Sequence, residues 1–237
     1  MGLRAISATV FAVLLSGVAL AQDLAGSAYR CARGQGEDTI AGCSDIIGAG
    51  GGAEIAWAYF DRARAYFNAK LYGSAIEDLT VVLEFNEKDM EALENRGLAL
   101  TALANYKLAI KDFDTAIELN PWFADAYHER CWARALYGHH LDDALHDCSQ
   151  ALVIKPNDPA ILDTRCFVKF RGQAYDRAIA DCTAALAADP KRASSLYIRG
   201  LAKLKMNDAA GGNADIAAAK AIDPNIGNTY ASYGVRP

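Results

Sequence analysis

The sequence repeats itself with a period of about 34 residues, and this repetition limits the possible folds more than any other feature. Four segments of the form Ala-x-x-Asp recur at steps of 34, 35 and 34 residues: Ala75–Asp78, Ala109–Asp112, Ala144–Asp147 and Ala178–Asp181. A fifth copy, Gly212–Asp215, follows in the same register. A fixed period of roughly 20–50 residues is typical of arrays built from one supersecondary unit. The chain is therefore predicted to stack five copies of such a unit.

The second copy shows which unit is repeated. Its small and apolar residues stand at Leu93, Gly97, Leu100, Tyr106, Ala109, Phe113, Ala116 and Pro121. This pattern resembles the tetratricopeptide repeat, a helix–turn–helix unit of the same period. The resemblance implies an all-α fold, a tetratricopeptide superhelical solenoid of about five repeats with N- and C-terminal capping helices. The repeats are placed at 56–89, 90–123, 124–158, 159–192 and 193–226, which make up 171 of the 237 residues.

Residues 1–21 have the pattern of a cleaved secretory signal peptide. Arg4 precedes an uncharged apolar run that starts at Ala5, and Ala19-Leu20-Ala21 is a small-x-small cleavage site. A membrane anchor is the alternative, but the run is at most 17 residues long, against about 20 for a span. We therefore predict a secreted protein with no membrane span after cleavage. The resemblance to exported bacterial repeat proteins favours the periplasm.

Further segments flank the repeats on both sides. Residues 22–55 form an N-terminal segment, in which Thr39–Ile47 is predicted to be a capping helix ended by the glycines that follow. Residues 227–237 form a C-terminal cap or tail. Ile226, Tyr230 and Tyr233 make an i, i+4, i+7 stripe suited to covering the last repeat.

Each copy also carries one Arg, where the common tetratricopeptide pattern has Leu, and one Asp. The pairs are Arg62 with Asp78, Arg96 with Asp112, Arg130 with Asp147, Arg165 with Asp181, and Arg199 with Asp215. A catalytic pair would not be copied five times. We therefore predict structural ion pairs that bridge helices, either within a repeat or to the next one, and that fix the packing.

Six cysteines follow the predicted cleavage site, and an oxidising compartment allows them to pair. In the tetratricopeptide register, four of the cysteines occupy two positions that face each other. One position lies on the first helix of a repeat and the other on its second helix. The implied disulfides are Cys131–Cys148, Cys166–Cys182 and, from the remaining two cysteines, Cys31–Cys43. Buried free thiols and a Cys148–Cys166 bridge between repeats are the alternatives.

Composition and motifs exclude several functions. The net charge of −5 comes with no basic block, so neither nucleic acid nor an anionic membrane surface is an expected partner. No Gly-rich phosphate loop, Gly-x-Ser-x-Gly elbow or His-Glu-x-x-His helix occurs. His139, His140 and His146 could hold a metal, but adjacent histidines in a turn are usually solvated. We predict no catalytic residue, no metal, no cofactor and no enzyme activity.

The remaining candidate site is the groove that, by the resemblance, the first helices line to receive peptides or partner helices. The groove residues by register are Trp57, Phe60, Arg64, Phe67, Glu94, His128, Trp132, Phe167, Phe170, Arg171, Tyr197 and Lys205. Aromatic surface in a channel that water can enter is typical of a binding face. Alternatively, the aromatic rings pack between neighbouring first helices, or the N-terminal segment fills the groove. The family's clamp for C-terminal carboxylates is not supported, because Phe60 and Arg64 stand where it needs Lys and Asn.

These observations together predict a non-catalytic scaffold or adaptor of the bacterial envelope that binds a protein or peptide segment in the groove. The sequence does not identify that partner. One alternative is a self-associating structural protein, and hence a homo-oligomer. A less favoured alternative is an accessory subunit of an enzyme that acts on envelope polymers, since the chain offers this role scattered carboxylates alone.

Overall fold

A computed structural model of the chain describes residues 23–235, and every regular element in that range is a helix. The predicted signal peptide lies outside the described residues. None of the helices within 23–235 has both the length and the apolar character needed to cross a membrane. The chain divides into two compact units, Met1–Ala99 and Leu100–Pro237.

Five helix–turn–helix pairs follow one another along the chain, each within one predicted repeat. They are α3 (Ala56–Asn68) and α4 (Tyr72–Phe85), α5 (Met90–Ala102) and α6 (Tyr106–Leu119), α7 (Ala124–Tyr137) and α8 (Leu141–Ile154), α9 (Pro159–Arg171) and α10 (Tyr175–Ala188), and α11 (Ala193–Lys205) and α12 (Ala209–Ile222). The predicted all-α class and the stacked helix pairs are confirmed.

The N-terminal unit begins with a helix pair where the sequence predicted a single capping helix. Helix α1 covers residues 23–33, and α2 covers Glu37–Gly48. The two helices approach so closely that a Cβ on Gly42 would lie 2.6 Å from the backbone nitrogen of Cys31. The Cys31–Cys43 disulfide joins them with a Cα–Cα distance of 4.6 Å. A 3₁₀ turn at Ala53–Ile55 then leads into α3.

The core of the C-terminal unit contains the other two disulfides, Cys131–Cys148 and Cys166–Cys182, whose cysteines are fully buried. Their Cα–Cα distances are 5.5 and 5.4 Å. In the fifth repeat, Gly200 takes the slot of Cys131 and Cys166, and a Cβ there would lie 2.7 Å from the Ile216 side chain. At this position of the repeat, the two helices are therefore held together either by a disulfide or by direct close packing.

A last helix, α13 (Ile226–Ser232), packs against α11 and α12. Ile226 and Tyr230 are buried by this packing, at 5% and 4% exposure. The predicted C-terminal stripe thus does cover the last repeat.

Candidate functional site

The repeated arginines form a ladder of ion pairs between the two helices of a repeat. Each guanidinium binds both carboxylate oxygens of its Asp, with N···O distances of 2.6–3.0 Å, in Arg62–Asp78, Arg130–Asp147, Arg165–Asp181 and Arg199–Asp215. The pairing of Arg96 with Asp112 remains a prediction. Bidentate pairs of this kind fix geometry as well as charge.

The same arginines also contact the second helix of the preceding pair. Arg62 donates to Ser44 Oγ at 2.9 Å, and Arg96 donates to Thr80 Oγ1 at 3.2 Å. Arg130 donates to Asp114 Oδ1 at 2.5 Å. The sequence left open whether the ladder lies within a repeat or connects successive ones. The structure shows both kinds of contact, so the arginines connect the two helices of a repeat and also connect that repeat to the preceding pair.

In the N-terminal unit, the predicted groove residues of the first repeat differ in accessibility. Trp57 is 42% exposed, and Phe60 lies beside it in a pocket of about 280 Å³ that Glu91 also lines. Arg64 is exposed, and its NH1 lies 3.7 Å from Asp61 Oδ1. Phe67 instead packs edge-on against the ring of Tyr72, at 5.3 Å between centroids.

Glu94, on α5, is partly exposed. Near Trp57, burial raises the pKa of Asp61, and the charge of Arg64 partly offsets that effect. The accessible part of this face therefore combines an apolar ring with acidic and basic side chains.

In the C-terminal unit, the expectation of a water-filled groove is wrong for three residues. Phe167 and Tyr197 are each 1% exposed, and Phe170 is 8% exposed. Phe167 and Tyr197 lie beneath rings of the C-terminal segment, with centroids 5.6 and 5.4 Å from the Tyr230 ring. Phe170 packs against Tyr175 at the start of the next helix, at 5.6 Å. Helix α13, from the C-terminal part of the chain, occupies this face.

Arg171 is also engaged with the protein itself. Its NH1 donates to the carbonyl of Ala135 at the end of α7, and burial lowers the pKa of its guanidinium. Lys205, at the end of α11, is exposed to solvent. The register thus predicted the positions of these residues along their helices but not their accessibility.

A pocket of about 350 Å³ remains open beside α13. Its walls come from α7, α9, the start of α11 and α13, and include Trp132, Phe167, Tyr230 and Tyr233. The rings of Trp132 and Tyr233 meet edge-to-face, at 5.4 Å and 87°. Pockets of this size, with aromatic walls and a few polar groups, are the usual form of a binding site.

The polar groups of this pocket are hydrogen-bonded to one another. His128 Nε2 lies 2.8 Å from Thr164 Oγ1, and Asp163 accepts from Ser194 Oγ at 2.7 Å and from Ser195 Oγ at 2.5 Å. Burial raises the pKa of Asp163 and lowers that of His128. The imidazole of His128 and the carboxyl group of Asp163 are therefore both held by hydroxyl side chains in this pocket, an arrangement that suits non-covalent binding.

Arg192 also lines this pocket. Its NH2 lies 3.3 Å from Asp189 Oδ2, while its buried Nε has no hydrogen-bond partner among residues 23–235. In the same range, no group of three His, Cys, Asp or Glu side chains is placed to hold a metal ion. His139 and His140 are exposed in the turn before α8.

Sequence reasoning missed α1 and part of the pocket. The dipeptide Arg30-Cys31 repeats Arg130-Cys131 and Arg165-Cys166, and this match was the available signal for another helix pair. Arg30 pairs with Asp45 at 2.8 Å. For Arg192, which precedes its helix, the repeat register offered no signal.

Comparisons with known proteins agree with the fold. A family model for the tetratricopeptide repeat matches residues 91–123. The Hsp70-Hsp90 organizing protein 2 of Arabidopsis thaliana is 28% identical over 103 residues, which are 44% of this chain and 18% of that protein. The chain covers less than a quarter of the length of this and the other curated relatives it matches.

Solved structures share the architecture at low identity. A tetratricopeptide repeat protein from Parabacteroides merdae superposes with a TM-score of 0.67 and 21% identity, over 86% of this chain and 78% of that one. YrrB, described as a tetratricopeptide repeat protein with an unusual peptide-binding site, superposes with a TM-score of 0.57 and 16% identity, over 81% and 98%. At this identity, the likeness establishes the fold.

Proposed function

From the premise that the chain is a tetratricopeptide repeat protein, we propose that it is a non-catalytic interaction scaffold, which binds a peptide or protein segment on the first-helix faces of its repeats. We place this function in the bacterial envelope. The predicted signal peptide and the three disulfides support that location, because disulfides persist in oxidising compartments.

The observation that carries the proposal is the accessible face of the first repeat. Trp57 is 42% exposed beside Phe60, and the pocket they line also contains Asp61 and Glu91. A large ring next to an open pocket provides an anchor, and the charged rim provides orientation. This combination suits an extended or helical protein segment better than a small polar metabolite.

Two of the similar proteins support the same reading. YrrB has this fold and is described by its peptide-binding site, and the Arabidopsis relative is named as an organizer of two other proteins. Neither protein identifies the partner of this chain.

Crosslinking and pull-down from the native envelope fraction would test the proposal, with mature protein and a Trp57→Ala variant as baits. Trp122→Ala is the matched control, because Trp122 is 73% exposed and does not line the Trp57 pocket. We expect a partner that wild type and Trp122→Ala capture and that Trp57→Ala loses, since interface Trp anchors contribute on the order of 2 kcal/mol.

The purified partner should then show the same order of affinities by calorimetry. Equal capture by all three baits would contradict binding at the Trp57 face. Concentration-dependent oligomers in light scattering, with no partner captured, would favour the self-associating alternative.

A further inference from the structure

The C-terminal helix α13 lies where a partner of the last repeats would bind. Tyr230 and Tyr233 project from it against rings of α7, α9 and α11. The Tyr233 ring lies 5.4 Å from that of Trp132, and the Tyr230 ring lies 5.6 Å from Phe167 and 5.4 Å from Tyr197. Trp132, Phe167 and Tyr197 are first-helix residues that the register assigns to the partner-binding face.

This arrangement shows what chemistry the face accepts. The bound segment is a helix of seven residues that contains Tyr230 and is followed directly by Tyr233. Both tyrosine rings contact the Phe167 ring, at 5.6 and 6.4 Å between centroids, so both lie on one side of the segment. The segment carries no charged residue from Asn225 to Val235. The face therefore fits a short, uncharged helix with an aromatic pair at i and i+3.

Two features make this occupant exchangeable. A seven-residue helix is not stable by itself in water, so α13 depends on its contacts with the face. It lies outside the five helix–turn–helix pairs and is joined to α12 through Asp223–Asn225. Its release would therefore require no rearrangement within those pairs.

Helix α13 leaves part of this face unfilled, so an external segment can make contacts there that α13 does not make. The pocket of about 350 Å³ beside Tyr233 remains open, and His128, Glu129 and Arg192 line it. A ligand can displace another state only through a difference in binding free energy. A partner helix that repeats the two aromatic contacts and also fills this pocket has that difference.

We propose that α13 is an intramolecular occupant of a second binding face, on α7, α9 and α11, and that the partner of this face is a protein helix with two aromatic residues three positions apart, which displaces α13. This inference rests on the proposed scaffold function and adds the chemistry of one partner.

The test uses the full chain and a fluorescent peptide with the sequence of residues 224–235. In wild type, the tethered helix competes with the peptide, because the tether gives it a high effective concentration. Tyr230→Ala with Tyr233→Ala removes the anchors of the tethered copy and leaves the face intact. By anisotropy we expect this variant to bind the peptide at least about tenfold more tightly than wild type.

The matched control variant is Asn228→Ala with Ser232→Ala, because these two side chains are exposed on the same helix. It should bind the peptide as weakly as wild type. A control peptide with Ser in place of both tyrosines should bind no form of the protein. If the double tyrosine variant has the wild-type circular dichroism spectrum and still fails to bind the peptide, or binds both peptides equally, the proposal is overturned.

Should the double variant not fold, Tyr233→Ala provides the second measurement, since Tyr233 is less deeply buried than Tyr230. A gain in peptide affinity over wild type supports the proposal, and an unchanged affinity overturns it. The outcomes also separate the two proposals. If the peptide fails to exchange with α13 while Trp57 is still needed to capture a partner, the proposal of a second face alone is refuted. If the peptide exchanges but partner capture does not depend on Trp57, the proposed binding at the first repeat is refuted.

Discussion

Replacing Asp181 by Ala tests whether the ion-pair ladder holds the repeats together. Asp181 accepts hydrogen bonds from Arg165 at 2.7 and 2.8 Å, and Lys169 Nζ lies 2.6 Å from its Oδ2. The side chains are largely buried, with exposures of 8% for Asp181, 22% for Arg165 and 15% for Lys169. Asp181→Ala leaves two cations close together without their counter-charge.

The cost follows from this burial. Removing one partner of a buried ion pair destabilises a protein by about 3–5 kcal/mol, and partial solvent access to Arg165 favours the lower end, about 3 kcal/mol. In a chain of this size, 1 kcal/mol shifts the melting temperature by about 2–4 °C. Asp181→Ala should therefore lower the melting temperature by about 6–12 °C.

The assay is thermal unfolding followed by circular dichroism, with Asp176→Ala as the control. Asp176 is exposed in the first turn of the same helix, where it contributes about 0.3–1 kcal/mol through the helix dipole. Equal shifts for the two variants would refute the ladder as a source of stability. A larger shift for Asp181→Ala that 1 M salt leaves unchanged would be consistent with pairs shielded from solvent.

Three further predictions concern stability. Ala104 has a left-handed φ of 59°, and this conformation costs an L-residue about 1–2 kcal/mol. Ala104→Gly should therefore raise the melting temperature, and a decrease would contradict this account. The double variant Cys166→Ala, Cys182→Ala removes a disulfide between residues 16 apart. Its unfolding free energy in urea should be lower by about 3 kcal/mol, and an unchanged urea midpoint would contradict this prediction. Burial would raise the pKa of Asp215, but hydrogen bonds from Arg199 and Lys203 outweigh it and lower that pKa. The stability that ionised Asp215 contributes is complete above the pKa of this group in the unfolded chain, about 4, and is lost as pH falls through its lower pKa in the folded protein. Between pH 5 and pH 2, Asp215→Asn should therefore lose less unfolding free energy than wild type.

The helix pairs were predictable because each copy carries its own complete signal. The Ala-x-x-Asp motif places the second helix, and the Arg and small residue before it place the first. Helix α1 carried only part of this signal, the Arg30-Cys31 dipeptide. Gly42 stands at the Asp position of α2, and Cys31 and Cys43 are 12 residues apart where the other pairs are 16 and 17 apart. Three residues separate the helices of this pair, as in the other pairs, but α1 ends two residues after Cys31 whereas α9 ends five residues after Cys166, and this takes the first pair out of register with the period.

The state of the binding face was not predictable, because a repeat register specifies which side of a helix a residue occupies and not what covers that side. The stripe of Tyr230 and Tyr233 indicated a cap for the last repeat. Its contacts extend to Trp132, two repeats earlier. That reach depends on the direction in which α13 leaves α12, and the three residues between the two helices do not reveal it.

This difference in coverage decides which substitutions can report on binding. Phe167 is 1% exposed beneath Tyr230, so Phe167→Ala would open a cavity and cost about 3–5 kcal/mol of stability. Any loss of partner binding in that variant would then report destabilisation as much as lost contact. Trp57 is 42% exposed, and its replacement removes surface without opening a comparable cavity. Binding to the first repeat can therefore be tested by direct truncation, whereas binding to the last three repeats must be tested by releasing the helix that covers them.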